Sequence, residues 1–253
     1  MKDFKERVAL ITGSTGGIGY ACAEELGRRG ARVVVNGRSG ERCDAAAATL
    51  RSAGVEALAV AADVADPEEA RRLVETAAAG WGRLDVLVNN AGRPSVAPSA
   101  ELPPAEWDAV VRLNLSAPFY CAQAAARHLF ERGGVVVNIG SVMGRVGAPM
   151  RVAYTASKHG LEGLTRTLAV EWADRGVRVV TVCPGYTRTA LVEEAQRRGG
   201  FDDAAISRRT PLGRLAEPAE VARVVAFLAS DDAAYITGES VMVDGGWVAY
   251  GYL

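Results

Sequence analysis

The sequence predicts an α/β fold: a single doubly wound domain whose seven-stranded parallel sheet carries helices on both faces. Three observations predict it. Short β-branched runs recur along the 253 residues, longer stretches with helical spacing lie between them, and no proline-rich or Gly/Ser linker breaks the alternation.

The runs are "VALIT" from Val8, "RVVVN" from Arg32, "ALAVAAD" from Ala57, "DVLVNNAG" from Asp85, "GVVVNIG" from Gly134, "VRVVTVC" from Val177 and "SVMVDGG" from Ser240. They are nearly continuous in apolar residues, the pattern of parallel strands buried on both faces. Charged faces at helical spacing mark Glu41 to Arg51, Pro67 to Ala79 and Pro218 to Leu228 as helices, among about six in all. The segment from Thr187 to Arg214 breaks the rhythm. It is polar, arginine-rich and without a strand, so residues 187–214 read as an insertion over the top of the sheet.

Composition narrows the function. With 29 basic against 30 acidic residues and a formal net charge of −1, no basic excess points to nucleic acid or to an anionic membrane surface. No apolar run approaches the roughly 20 residues needed to span a bilayer. The start "MKDFKERVALITG" runs from charges straight into a strand, leaving no room for a signal peptide's apolar segment. Cys22, Cys43, Cys121 and Cys183 are widely spaced with no CxxC pair, and read as reduced thiols of a cytoplasmic protein. Two histidines, His128 and His159, are too few for a histidine-rich centre, and no metal is expected.

Doubly wound sheets bind ligands beyond the C-terminal ends of their strands, where the strand order reverses. After the first strand comes "TGSTGGIG", with Gly13, Ser14, Thr15, Gly17, Ile18 and Gly19 opening a helix that ends near Gly30. Glycines let the backbone approach a diphosphate, and a helix N-terminus favours its charge, so a dinucleotide is the expected ligand. The spacing is GxxxGxG rather than the commoner GxGxxG; its place between strand and helix gives it meaning. The second strand ends in "VVVNGRS", with no acid among Asn36, Gly37, Arg38 and Ser39. A carboxylate there would hold the ribose hydroxyls and repel a 2′-phosphate, whereas Arg38 welcomes the phosphate, so NADP(H) is expected over NAD(H). Asp63, with Val64 after it, ends the third strand and is placed either to accept from the adenine amino group or to cap the helix at Pro67.

In "VNIGSVMGRVGAPMRVAYTASKHG", from Val137 to Gly160, Ser141 ends a strand and Tyr154 and Lys158 share one helix face. A free tyrosine, with a pKa of about 10, is a poor base at neutral pH. A nearby ammonium stabilises the phenolate and brings it toward the range general acid/base catalysis needs. Tyr154 would then give a proton to a carbonyl oxygen or take one from a hydroxyl, while hydride passes from or to a nicotinamide. Ser141 would hydrogen-bond the same oxygen.

With "TGSTGGIG", "NNAG" (Asn89 to Gly92), Asn114 in "LNLSAPF", Ser141, "YTASK" (Tyr154 to Lys158) and "PGYTRT" (Pro184 to Thr189), the sequence resembles the short-chain dehydrogenase/reductase family over essentially the whole chain. The resemblance implies one Rossmann-type domain over residues 1–253, both dinucleotide-binding and catalytic, with 187–214 as its substrate lid. It implies that Lys158 also binds the nicotinamide ribose and that Asn114 holds a water linking it to solvent. It puts Asn90, Ala91 and Gly92 on the adenosine side, and Pro184, Gly185, Thr187 and Thr189 around the carboxamide. It also implies a homotetramer. Many relatives carry asparagine where this chain has Val180, which bears on the shape of the following loop.

The substrate expected is either a 3-oxoacyl thioester or a small ketone, sugar or polyol. Carrier-dependent reductases of the family often have an arginine where Val170 stands; "AVEWA" looks more like dehydrogenases of small secondary alcohols. Arg188, Arg197, Arg198, Arg208, Arg209 and Arg214 outnumber Glu193, Glu194, Asp202 and Asp203 in the lid and would receive an anionic group, or else form surface ion pairs. Met143, Arg145, Met150 and Arg151 are candidate pocket walls. The aromatic tail, with Trp247, Tyr250 and Tyr252, is expected to pack on a neighbouring subunit. A non-catalytic dinucleotide-sensing protein is the rival reading, against which the retained Tyr154 and Lys158 stand.

Overall fold

The computed structural model describes residues 4–189, 192 and 202–251. Its sheet holds seven parallel strands: β1 (Val8–Ile11), β2 (Arg32–Gly37), β3 (Ala57–Ala61), β4 (Val86–Asn89), β5 (Gly134–Ile139), β6 (Val177–Pro184) and β7 (Ser240–Val243). Their order is β3-β2-β1-β4-β5-β6-β7, so the chain reverses direction across the sheet between β1 and β4. A crevice at the C-terminal ends of these two strands follows from that reversal.

The apolar strands alternate their burial between two cores. Ala9 and Ile11 face one side, with α1 (Gly17–Arg28), α2 (Gly40–Ser52) and a later helix, Pro218–Ala229. Val8 and Leu10 face the other, with α3 (Pro67–Trp81), α5 (Ala117–Phe130) and α6 (Val152–Trp172). Between α3 and α5 lies α4 (Pro104–Val111), joined to α5 by a π-helical turn, Arg112–Ser116. After α6 come α7 (Asp203–Arg209) and α8, the helix Pro218–Ala229.

Helix starts follow the usual chemistry. Ser39 accepts from the Arg42 N–H to cap α2, Asp66 accepts from Glu68 and Glu69 to cap α3, and Glu217 with Glu220 forms a capping box on α8. Asp66, not Asp63, is thus the cap at Pro67. Gly16 offers α1 no side-chain cap, and α4, α5 and α6 have none either.

The seven expected strands are all present, and the predicted helices agree within a residue or two. The lid segment contains α7, and a short parallel bridge joins Thr187 to Ala216; Arg197, Arg198, Glu193 and Glu194 lie outside the described residues. The tail folds onto its own chain: the Arg209 guanidinium sits 4.9 Å from the Trp247 ring centroid and 5.1 Å from that of Tyr250. The cation lies over both aromatic rings, while Tyr250 stays 36% exposed, so the surface expected to meet a neighbouring subunit is still partly open. Tyr252 is outside the described residues. All four cysteines are free and buried.

A buried polar ladder fixes α6 on the sheet. Asn89 Nδ2 donates to Asn138 Oδ1 at 2.9 Å, and Asn138 Nδ2 donates to Thr165 Oγ1 at 2.9 Å. Thr165 Oγ1 also lies 2.7 Å from Thr181 Oγ1 and donates to the Leu161 carbonyl. Buried donors must find partners, so α6 has one satisfactory register against β5 and β6. Thr165→Val keeps the volume but strands the donors of Asn138 and Thr181. Urea unfolding should show a loss of about 1–3 kcal/mol, and a loss within error would mean the ladder does not hold the helix.

Candidate active site

The loop after β1 is built for close approach. Gly13 and Gly17 have φ of 62° and 56°, in the left-handed region that favours glycine. A Cβ on Gly19 would lie 2.4 Å from Asn90 Nδ2 and 2.6 Å from the Gly13 carbonyl, so α1 sits against the loop only because that residue has none. Around Gly16 the space is open, and the first N–H groups of α1 have no side-chain cap. An anion such as a diphosphate satisfies those donors.

Several expected binding residues also scaffold this loop. Ser14 is fully buried; its hydroxyl donates to the Ile11 carbonyl at 2.7 Å and accepts from the Asn36 N–H at 3.0 Å. Asn90 Nδ2 donates to the carbonyls of Thr12 (2.9 Å) and Gly13 (3.0 Å). Thr12, which sequence reasoning passed over, accepts from the N–H groups of both Asn90 and Ala91 at 3.0 Å. Asn36 points inward: its Oδ1 accepts from Gly13, and its Nδ2 donates to the Val60 and Ala62 carbonyls. These side chains hold the loops after β1, β2, β3 and β4 in one arrangement. Thr15 remains partly exposed on the loop and Ile18 in the first turn of α1, and Arg38 is exposed at the tip of β2. Asp63 Oδ1 accepts from Ala65, while Val64 is buried behind it.

Ser141, Tyr154 and Lys158 come together at the end of β5. The Ser141 hydroxyl accepts from the Met143 N–H at 3.2 Å, fixing the 3₁₀ turn Val142–Gly144, and stands near enough to the Tyr154 phenol to draw its pKa down. Lys158 is 5% exposed, and its Nζ donates to the Ile139 carbonyl at 2.7 Å and lies 5.6 Å from the Tyr154 ring centroid. Burial raises the Tyr154 phenol above its ordinary value, outweighing the hydrogen bond from Ser141 and the charge of Arg151, which draw it down. Burial lowers Lys158 from 10.5 to about 8. Lys158 was expected to stabilise the phenolate; its amine donates to the strand end, and Ser141 and Arg151 are the groups that draw the phenol down.

Asn114 is fully buried on the π-helical turn. Its Oδ1 accepts from the Arg93 N–H at 2.9 Å, and its Nδ2 donates to the Arg93 carbonyl at 3.0 Å and to Ser157 Oγ at 3.3 Å. The extra residue of a π turn re-aims one side chain, here across the loop after β4 and onto α6. Gly92 permits it, since a Cβ there would stand 3.2 Å from Asn114 Oδ1. No hydrogen bond joins Asn114 to Lys158; the link runs to its neighbour Ser157.

The loop after β6 closes the other side. Gly185 passes so near Asp244 that a Cβ would meet its Cα at 2.9 Å, and the Gly185 N–H donates to the Val243 carbonyl at 2.9 Å. Val180 is simply buried in the apolar core, and the following loop, from Pro184, takes its shape from β7. Thr187 is buried, its hydroxyl turned to the Gly185 carbonyl, whereas the Thr189 methyl would contact a side chain on Gly17 at 3.5 Å. The loops after β1 and β6 therefore face each other across the crevice.

Glu162 is a functional neighbour that the sequence reading missed. It is 4% exposed and bridges Arg145 at 3.2 Å and Arg166 at 3.5 Å. Its Oε1 lies 2.9 Å from where a Cβ on Gly144 would be, so the turn after Ser141 packs directly on it. The i,i+4 spacing of Lys158, Glu162 and Arg166 was the available signal.

The pKa of Lys158 has a consequence for stability. A lysine with a lowered folded-state pKa destabilises the fold while charged, and the penalty fades as pH rises from about 8 to 10.5. Lys158→Met removes the titration. Relative to that variant, the wild-type protein without ligands should gain about 2–3 kcal/mol of unfolding free energy between pH 7.5 and 10; parallel pH profiles would show that the amine is not desolvated.

Comparison with known proteins agrees with this architecture. The family model described as enoyl-(acyl carrier protein) reductase matches residues 13–248. The chain is 44% identical to cis-4-hydroxycyclohexanecarboxylate dehydrogenase of Sinomonas cyclohexanicum over 97% of this chain and 98% of that one. It is 40% identical to a 3-oxoacyl-[acyl-carrier-protein] reductase of Synechocystis, over 96% and 98%. Among solved structures, a gluconate 5-dehydrogenase from Burkholderia cenocepacia in complex with NADP and tartrate superposes with a TM-score of 0.93 at 35% identity, covering 98% of this chain and 97% of that one. No helix among the described residues is long and apolar enough to cross a membrane. A parallel seven-stranded sheet, a glycine cradle at the switch point and relatives matched along nearly their whole length leave one assignment: the chain belongs to the short-chain dehydrogenase/reductase family, an oxidoreductase that uses a nicotinamide dinucleotide.

Proposed function

We propose that the protein is an NADP(H)-preferring dehydrogenase of a small secondary alcohol, or the reductase of the matching ketone, with Tyr154 as general acid/base. The observation that carries this is the convergence at the end of β5 of Ser141, Tyr154 and the buried Lys158 amine, whose Nζ lies 5.6 Å from the Tyr154 ring centroid. The bound dinucleotide supplies the hydride acceptor or donor. Tyr154 holds the proton at its phenol oxygen and exchanges it with the substrate oxygen, and Ser141 steadies the charge that develops on that oxygen. Lys158 favours the phenolate when Tyr154 has lost its proton, and Asn114 keeps the loop after β4 and the start of α6 in register. The glycine loop, with Thr15 and Ile18, holds the diphosphate. Arg38 reaches a 2′-phosphate, and Asp63 meets the adenine. Pro184, Gly185 and Thr189 border the nicotinamide side.

A small alcohol fits better than an acyl carrier. Val170 is 80% exposed and apolar where a carrier-docking cation would stand, although the Synechocystis relative keeps the thioester as a second reading. In this reading residues 1–253 form one domain with 187–214 as its lid, and the enzyme works as a cytoplasmic homotetramer. The four free cysteines suit a reducing compartment.

Tyr154→Phe should lower kcat by about 10²–10⁴-fold with dinucleotide affinity nearly unchanged, checked by absorbance of the reduced nicotinamide and by fluorescence titration. Near-normal turnover would move the proton to another group. Arg38→Ala should raise KM for NADP about tenfold or more while leaving KM for NAD within about twofold; equal changes for both would remove Arg38 from the phosphate site.

A further inference from the structure

Ser141 stands between a strand that is fixed and a turn that has to be. On the strand side, the Gly140 N–H donates to the Val182 carbonyl at 2.7 Å and ties the chain to β6. On the other side the hydrogen bonds are internal to the turn. The Met143 N–H donates to Ser141 Oγ at 3.2 Å, the Gly144 N–H to the Ser141 carbonyl at 2.9 Å, and the Arg145 N–H to the Val142 carbonyl at 3.0 Å. Such bonds give the turn its shape without deciding where it sits on α6, the helix that carries Tyr154. Val142 and Met143 are buried, but apolar packing has no direction of its own.

Glu162 meets the turn from the helix side. It shares a face of α6 with Lys158, one turn further on, and is 4% exposed. Its Oε1 pairs with Arg145 Nε at 3.2 Å, and the Cys183 thiol of β6 donates to the same oxygen at 3.9 Å. That oxygen would also stand 2.9 Å from a Cβ on Gly144, with the Lys158 carbonyl at 3.2 Å. The backbone at residue 144 therefore lies directly against the helix, with no room for a side chain. Arg166 reaches the other oxygen, Oε2, at 3.5 Å. A buried carboxylate persists only where it is paired and hydrogen-bonded, and those partners are directional. One oxygen thus joins α6, the turn after Ser141 and the end of β6, although the proton and hydride steps do not use it.

We infer that Glu162 is a positioning residue: clamped by Arg145, its carboxylate fixes the turn after Ser141 on α6 and so holds the Ser141 hydroxyl in place beside Tyr154. This rests on the reading of Ser141 and Tyr154 given above and adds the group that keeps the two in register. The dinucleotide is held by other loops, so losing the clamp should be felt in the chemical step. A misplacement of about 1 Å at a reacting group can cost on the order of 100-fold in rate.

The test measures initial rates with NADP for wild type, Glu162→Gln, Arg145→Ala and Ser141→Ala. It adds the two double variants that combine Ser141→Ala with Glu162→Gln or Arg145→Ala. The probe is whichever of cyclohexanol, cis-4-hydroxycyclohexanecarboxylate and D-threitol the wild type oxidises fastest. Circular dichroism melts verify folding. The Arg145 side chain is 41% exposed, so Arg145→Ala answers the same question should Glu162→Gln not fold. Each of these two single variants should lower kcat by about 10–100-fold, with KM for NADP within about twofold of wild type. In the Ser141→Ala background the same substitutions should cost less than about twofold, because no hydroxyl is left to place. Undiminished losses in that background would overturn the inference, leaving Glu162 a role in the fold alone. So would losses that fall on KM for NADP as heavily as on kcat. Full activity in both single variants would overturn it too, with the dehydrogenase reading intact. No turnover of any secondary alcohol or ketone with either dinucleotide would overturn both.

Discussion

Everything chemical in this molecule depends on how α6 is docked on β5 and β6. The helix supplies Tyr154 and Lys158, but the strand end supplies Ser141 and the Ile139 carbonyl, so a shift of one residue between them would separate the groups. Three contacts along one face of the helix oppose such a shift: Lys158 on Ile139, Glu162 under the turn after Ser141, and Thr165 in the ladder with Asn138 and Thr181. All are polar and buried. Apolar packing alone tolerates sliding, because one valine resembles the next. Buried hydrogen bonds are directional and expensive to leave unmade, so they select a register.

This explains which parts were legible in the sequence. The strands were legible because burial on both faces writes an unbroken apolar run, and the catalytic residues because their spacing has few other uses. The loop scaffold was not. Thr12, Asn36 and Ser14 act through backbone groups of segments far apart in the chain, and a small polar residue near a strand end looks the same whether it faces a ligand or the protein. Asn90 shows the difficulty best: its place in the motif suggested contact with the ligand, and nothing in it announced that its amide also supports the glycine loop. Ion pairing of the lid arginines was one of the two expected outcomes, but the partners were not legible, because Glu217 and Glu220, which pair with Arg188 and Arg214, lie beyond residue 214.

The local rules of protein structure are kept in most of the chain and broken around one crevice. The starts of α2, α3 and α8 are capped by side chains, and the cysteines are inert, with Cys22 and Cys121 pushed to about 12 by burial. Against this stand an uncapped α1, a desolvated Lys158, a left-handed Met150 and a cation at the positive end of α6. Each is unfavourable in isolation. Their concentration at the C-terminal edge of the sheet is what a site awaiting anionic ligands should show, and the two closely packed cores on either side supply the stability that tolerates them.

The same burial that lowers Lys158 raises Tyr154, so both groups are pushed toward their neutral forms. Their titrations are therefore best treated as belonging to the pair. A phenolate at Tyr154 would give the Lys158 amine a reason to remain charged, and a charged Lys158 would ease the loss of the phenol proton. Arg151, one helical turn before Tyr154, also draws the phenol down, so the proton held at Tyr154 answers to groups on both the strand end and the helix start.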